Sequence, residues 1–181
     1  MTAALGVLAA LATLACALLL VRVHLLPTGY SARRDRVADY GVGRFSGHYV
    51  AAAIAVGTAA LAVAIGLAHE HERWFVVVLL VAFGASRLVA PWFPPDLEGE
   101  RPSRPGRIHL WLAAFAYATI AAAAGLSDRT PWLGWAAAVC FAATLLSLRG
   151  GALRDRTGQI ERLGLVAVLA WLLVVALGLI A

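Results

Sequence analysis

The sequence predicts an all-α, polytopic membrane protein built as a six-transmembrane-helix bundle. Three observations carry that prediction. Apolar residues make up 62% of the 181 residues and charged residues only 14%, against about 45–50% and about 25% in ordinary soluble domains. Mean hydropathy is +0.83. The apolar residues also gather into six windows close to the ~20 residues that cross ~30 Å of hydrocarbon. A chain this short cannot hide so much apolar surface in one globular core, because too much of a small domain stays at its surface. Soluble enzymes, nucleic-acid readers and disordered chains are therefore excluded.

The expected spans are residues 3–21, 49–68, 74–93, 108–126, 132–148 and 163–181. No period-2 alternation runs through them, and an open sheet cannot exist in lipid. The first span has no positive n-region, and Ala15-Cys16-Ala17 runs straight into further apolar residues. It is expected as a retained helix rather than a cleaved signal peptide. Tyr49 and Trp74 open the second and third spans, at the interface depth that amphipathic rings favour. Pro94-Pro95 ends the third. Small residues recur at helical steps in the second and fourth, as in Ala53 and Gly57, Ala60 and Ala64, and Ala113 and Ala116. Such faces let membrane helices approach closely. Trp132 opens the fifth span. The sixth follows Glu161-Arg162. The six spans read as one domain over residues 1–181, with no room for a soluble domain. Cys16 and Cys140 lie inside apolar runs, so no disulfide framework is implied.

The formal net charge is +5, and every basic residue is arginine. Arginine without lysine, beside abundant Ala, Gly, Val and Leu, points to a GC-rich bacterial genome rather than to a nucleic-acid partner. The arginines orient the bundle. Arg22, Arg33, Arg34, Arg36 and Arg44 belong to loop 1, Arg101, Arg104 and Arg107 to loop 3, and Arg149, Arg154, Arg156 and Arg162 to loop 5. Only Arg73 and Arg129 lie on the opposite side. Loops 1, 3 and 5 are therefore expected in the cytoplasm of a multi-pass cell-membrane protein, with both termini outside.

Candidate functional residues are the polar groups a lipid-embedded chain should avoid. Arg87 lies six residues before Phe93, hence about 9 Å inside its span at 1.5 Å per residue. A charge there costs a few kcal/mol unless it is paired or reaches water. Snorkelling to the interface is one resolution. The other is a cytoplasmic-side cavity in which Arg87 holds a carboxylate or an anionic headgroup. Asp96, His109 and Tyr117 sit near that depth across loop 3, and Tyr30 and Asp39 come from loop 1. These six residues, Arg87, Asp96, His109, Asp39, Tyr30 and Tyr117, are the expected ligand-binding set. Glu161, just before the sixth span, is a further candidate carboxylate at that depth, with a solvated helix start, where the dipole favours it, as the alternative.

His69-Glu70-His71-Glu72 has metal-ligand residue types without the four-residue His spacing of a helical zinc site. It reads as a solvated linker, and no metal is expected. Gly41-Val42-Gly43 lacks a following Lys-Ser/Thr and a preceding strand, so it is no nucleotide loop. No cofactor is expected.

Three stretches resemble a family of prokaryotic integral membrane proteins known as domain of unknown function 998. The first runs from Thr28-Gly29-Tyr30-Ser31 into Arg34 to Arg44, with Ala38 where members often carry serine. The second is Arg87-Leu88 through Phe93-Pro94-Pro95-Asp96, then Gly106-Arg107-Ile108-His109-Leu110, with Pro95 in place of a common threonine. The third is Glu161-Arg162-Leu163-Gly164, near Trp171. The resemblance spans nearly the whole chain. It implies a six-helix membrane fold of unassigned biochemistry and favours Arg87, Asp96 and His109 as a unit.

Two functions follow as expectations. One is a non-enzymatic protein that binds or handles a membrane lipid or other amphiphilic small molecule, with protein partners unspecified. The alternative is a small cofactor-free intramembrane enzyme, with Asp96 or His109 as acid–base and Arg87 as anion clamp.

Overall fold

A computed structural model describes residues 1–97, 99–148 and 150–181. Arg149, one of the orienting arginines, lies outside the described residues. The six long helices are α1 (Thr2–Leu25), α2 (Ser46–His69), α3 (Trp74–Val89), α4 (Arg104–Leu126), α5 (Pro131–Ser147) and α6 (Thr157–Ile180). Among the described residues there is no strand. Five helices, counting the 3-10 turn Ala90–Trp92 with α3, are long and apolar enough to cross a membrane, and α5 has 17 residues. The protein is thus a multi-pass membrane protein by the length and composition of its helices.

Helix boundaries reach beyond the hydropathy windows where polar residues still find helical partners. Ser103 caps α4 by accepting from Gly106 N–H at 3.0 Å, and Pro105 fits the first turn, where its missing N–H costs nothing. α6 begins six residues before its apolar window because Thr157 to Arg162 is polar yet helical.

Each helix packs on its neighbours in sequence, and α6 closes the ring against α1. The outward faces are apolar: Leu18, Val139 and Leu163 are each more than 60% exposed. That pattern suits lipid, not water. Glycines permit the tightest approaches. A Cβ on Gly134 of α5 would collide with the backbone of Ala124 and Gly125 on α4.

The two ends differ. At the end carrying loops 2 and 4, Arg129 pairs with Glu70, Arg73 meets Asp128 at 2.9 Å, and Trp171 donates its indole N–H to Arg129 O at 2.9 Å. His69 Nδ1 bonds to Ile65 O of its own helix. At the end carrying loops 1, 3 and 5, loop 1 folds back into the mouth of the ring. Its 3-10 turn Val37–Gly41 buries Val37, Asp39 and Tyr40 against α2 and α6.

Gly134→Ala should force α4 and α5 apart, at a cost of about 1–3 kcal/mol for overpacking. Unfolding of the detergent-solubilised variant should show a clearly lowered midpoint. An unchanged midpoint would mean that this crossing is not tight.

Candidate functional site

Two cavities meet at the arginine-rich end. The inner one has a volume of about 40 Å³ and is lined by residues from all six helices and from loop 1, among them Cys16, Tyr49, Arg87, Tyr117, Phe141 and Glu161. Arg87 follows Phe83 by one turn on the inward face of α3, and both line this cavity. Its Nη2 donates to Tyr49 Oη at 3.3 Å. Tyr49 is only 6% exposed. Arg87 therefore faces the interior and does not snorkel. Insertion scales put an arginine in mid-span at about 2.5–3.5 kcal/mol, and one long hydrogen bond to a phenol offsets little of that.

Glu161, in the second turn of α6, is 2% exposed. Tyr117 of α4 donates its hydroxyl to Glu161 Oε1. Val37 N–H, from loop 1, donates to Oε2 at 2.7 Å. The Tyr117 ring is fixed by parallel stacking on Phe141, with centroids 3.9 Å apart. One carboxylate thus ties α6, α4 and loop 1 together. Tyr117 and Glu161 also form the partition between the inner cavity and the second one, since both line each.

The second cavity is a groove of about 210 Å³ between α4 and α5. Its lip carries Leu110, Leu145 and Leu148, all more than 40% exposed. Its polar end holds Arg36, Asp96, His109, Tyr117 and Glu161. His109 is 4% exposed, and its Nδ1 lies 2.7 Å from Phe93 O. A carbonyl only accepts, so Nδ1 carries the proton. Nε2 is buried without a hydrogen-bond partner among the described residues. In the neutral imidazole it is a bare acceptor.

Arg87 and Asp96 do not meet. The Asp96 carboxylate accepts from Ser103 Oγ at 2.6 Å and from Ser103 N at 2.9 Å, which anchors loop 3 to the start of α4. Those bonds hold its carboxyl below the usual carboxylate range. Asp96 shares the groove with His109 but forms no hydrogen bond to it. Asp39 accepts from Arg36 N at 2.8 Å and from Arg36 Nη2 at 2.7 Å, closing the loop-1 turn. Burial pushes the Asp39 carboxyl up, opposed by the Arg36 charge. Tyr30 stacks edge-on against Tyr40, outside both cavities. Of the six expected residues, Asp96, His109 and Tyr117 share the groove, Arg87 and Tyr117 share the inner cavity, Asp39 and Asp96 line an open polar hollow of about 760 Å³ between loops 1, 3 and 5, and Tyr30 lines a separate hollow in loop 1. The sequence reading missed Tyr49 as the partner of Arg87 and kept Glu161, a candidate at that depth, out of the expected set.

A family model described as Protein of unknown function (DUF998) matches residues 5–178. No curated protein and no solved structure matches the chain.

Two outcomes follow from this geometry. Glu161→Ala should strand the Val37 N–H and the Tyr117 hydroxyl, costing about 2–4 kcal/mol. Tyr117→Phe should cost about 1 kcal/mol, and the pair should cost less than the sum because they share one bond. Chemical unfolding of the four proteins of that cycle checks it, and strict additivity would refute the link. For Asp96, the folded carboxyl titrates below the unfolded one, near 3.8. Its stabilising contribution is present above that value and is lost as pH falls through the folded pKa. Midpoints measured between pH 3 and 6 should fall on the acid side, and the fall should be shallower in Asp96→Asn.

Proposed function

We propose, for a chain that belongs to the DUF998 family of proteins of unknown function, that it binds a membrane amphiphile whose head enters the α4–α5 groove from the side. The carrying observation is His109. Its Nε2 is buried and unpartnered, and His109 lines a groove whose lip is apolar and open to lipid. Polar groups left unpaired in such surroundings are costly and mark places where something else supplies the partner. The groove is also lined by acceptors, the carboxylates of Glu161 and Asp96, and by donors, the guanidinium groups of Arg36 and Arg107. The Tyr117 hydroxyl hydrogen is already committed. A polar head that donates to His109 Nε2 and also accepts from a guanidinium fits this mixed wall. About 210 Å³ takes a head and the start of a chain. The remaining chain lies along Leu110, Leu145 and Leu148 in the bilayer.

The arginine distribution supports a cell-membrane orientation with loops 1, 3 and 5 in the cytoplasm and both termini outside. The groove then opens to the inner leaflet. The acid–base alternative gains nothing from the geometry, since Asp96 and His109 each hold their own piece of loop 3 instead of each other.

Native mass spectrometry of the purified protein should show a retained lipid. Ala114→Trp, which fills the groove, should cut retention at least tenfold while the protein still folds. A wild-type protein that keeps no lipid, or a variant that keeps as much, would refute the reading. Single cysteines at Glu100 and Asp128, in a background without Cys16 and Cys140, test the orientation. An impermeant thiol reagent added outside intact cells should label the second site and not the first. The reverse pattern would move the groove to the outer leaflet.

A further inference from the structure

We infer that the inner cavity is a binding site for one small monovalent anion, held by Arg87 and Tyr49. This inference does not rest on the groove reading, because the Tyr117–Glu161 partition separates the two spaces.

Hydrogen-bond accounting carries it. A guanidinium has five N–H donors and no acceptor. Arg87 directs one of its donors to Tyr49 Oη, at 3.3 Å. Among the described residues no carboxylate lies within 4.0 Å of it. Tyr49 accepts that bond, so its own hydroxyl hydrogen remains to be donated, and no acceptor for it is present among the described residues. The wall formed by α2 and α3 therefore offers donors and a positive charge. The rest of the lining there is Ala52, Val56, Phe83 and Ile120, none of which has a side-chain acceptor.

Glu161 does not supply the missing acceptor. Its oxygens receive Tyr117 Oη–H and Val37 N–H, and among the described residues it makes no hydrogen bond or ion pair with Arg87 or Tyr49. Glu161 lines the same cavity, but among the described residues the half-buried Arg87 has no carboxylate within 4.0 Å. Water would satisfy the donors and leave the charge unbalanced among apolar side chains. One anion satisfies both.

Volume limits the anion. A space of about 40 Å³ accepts about three water-sized centres at ~10–15 Å³ each. That is the scale of chloride, nitrate or formate, and too small for a phosphorylated headgroup. The same chemistry would serve the carboxylate of a fatty acid threaded from the membrane, so the experiment separates the two sources.

Protein purified in neutral detergent and exchanged into sodium gluconate is titrated with sodium chloride, nitrate or formate at constant ionic strength. Thermal midpoint and calorimetric heat are read. A saturable rise with the small anions is expected, absent with sulfate. Arg87→Gln should abolish it, Tyr49→Phe should weaken it about tenfold, and Arg104→Gln, at the exposed start of α4, should leave it intact. If Arg87→Gln does not fold, Tyr49→Phe decides. Sodium decanoate below its micellar concentration is the second arm. Decanoate that displaces formate, with the same dependence on Tyr49, would identify the anion as an amphiphile's carboxylate. Formate binding that decanoate leaves untouched would identify it as a free ion. The absence of any saturable response, or an equal response in wild type and Tyr49→Phe, would overturn the inference.

Discussion

The bond network around Glu161 sets the architecture of one whole end of the molecule. Non-helical backbone is admitted at membrane depth only where the protein itself satisfies its N–H and C=O groups. Loop 1 enters the mouth of the helix ring as a short 3-10 turn, and the first N–H of that turn belongs to Val37. Such a donor has no partner within the turn. Glu161 provides one at 2.7 Å, while its other oxygen takes the hydroxyl of Tyr117. Without a carboxylate at that point of α6, the turn would have to withdraw or bury an orphan donor. The closed ring end, the plug in its mouth and the partition between the cavities all descend from this one side chain.

The partition also sorts chemistry. On the inner side the surplus is of donors, from Arg87 and Tyr49. On the groove side acceptors, from His109 Nε2, Glu161 and Asp96, stand beside the guanidinium groups of Arg36 and Arg107. Tyr117 stands between the two sides with its hydrogen given to Glu161. Its orientation is held by the stack on Phe141 and not by the bond alone. Aromatic stacking of this kind is worth about 0.5–1.5 kcal/mol beyond area burial. The two compartments therefore differ in what they complement, although they share a wall.

The fold was legible because lipid imposes a one-dimensional rule: about twenty apolar residues make a span. All six long helices were found this way, and five of them are long and apolar enough to cross. Their ends were less legible where polar residues remain helical, as in the first turn and a half of α6. The site was half legible. Depth can be counted along a sequence, so Arg87 could be located inside its span, while snorkelling and a cavity-facing cation both stayed open. Direction around the helix axis and the path of a loop cannot be counted in the same way. Pro94 and Pro95 break the chain after α3, and the extended segment beyond them carries Asp96 to Ser103 instead of back to Arg87. Tyr49 carried the signature of an interface anchor, because an aromatic at a span end usually is one. Glu161 carried that of a solvated helix start. Both defaults fail for one reason: loop 1 folds over these positions and excludes water, and nothing local in the sequence announces that a loop will do so.

Arginine number measures topology, whereas arginine saturation separates scaffold from site. Arg162 and Arg87 both sit within helices, yet their surroundings differ in kind. Arg162 donates from Nε to His24 Nε2 at 2.5 Å, from Nη1 to Asp35 O at 2.9 Å and Gly158 O at 2.8 Å, and from Nη2 to Tyr40 Oη at 3.3 Å. His24 is held in the matching tautomer, since its Nδ1 faces Leu20 O and its Nε2 must then accept. Four of the five donors of that guanidinium are consumed in joining α1, loop 1 and α6. The same residue that helps to orient the bundle is thus also a structural pin. Arg87 spends one donor, on a phenol, beside a cavity. A planar fork that is fully used is a fastener, and one that is left open has geometry to spare for something that enters. Depth in the sequence sets Arg87 apart from the loop arginines, and the count of bonds that Arg162 and Arg87 each make shows which of the two is fastened.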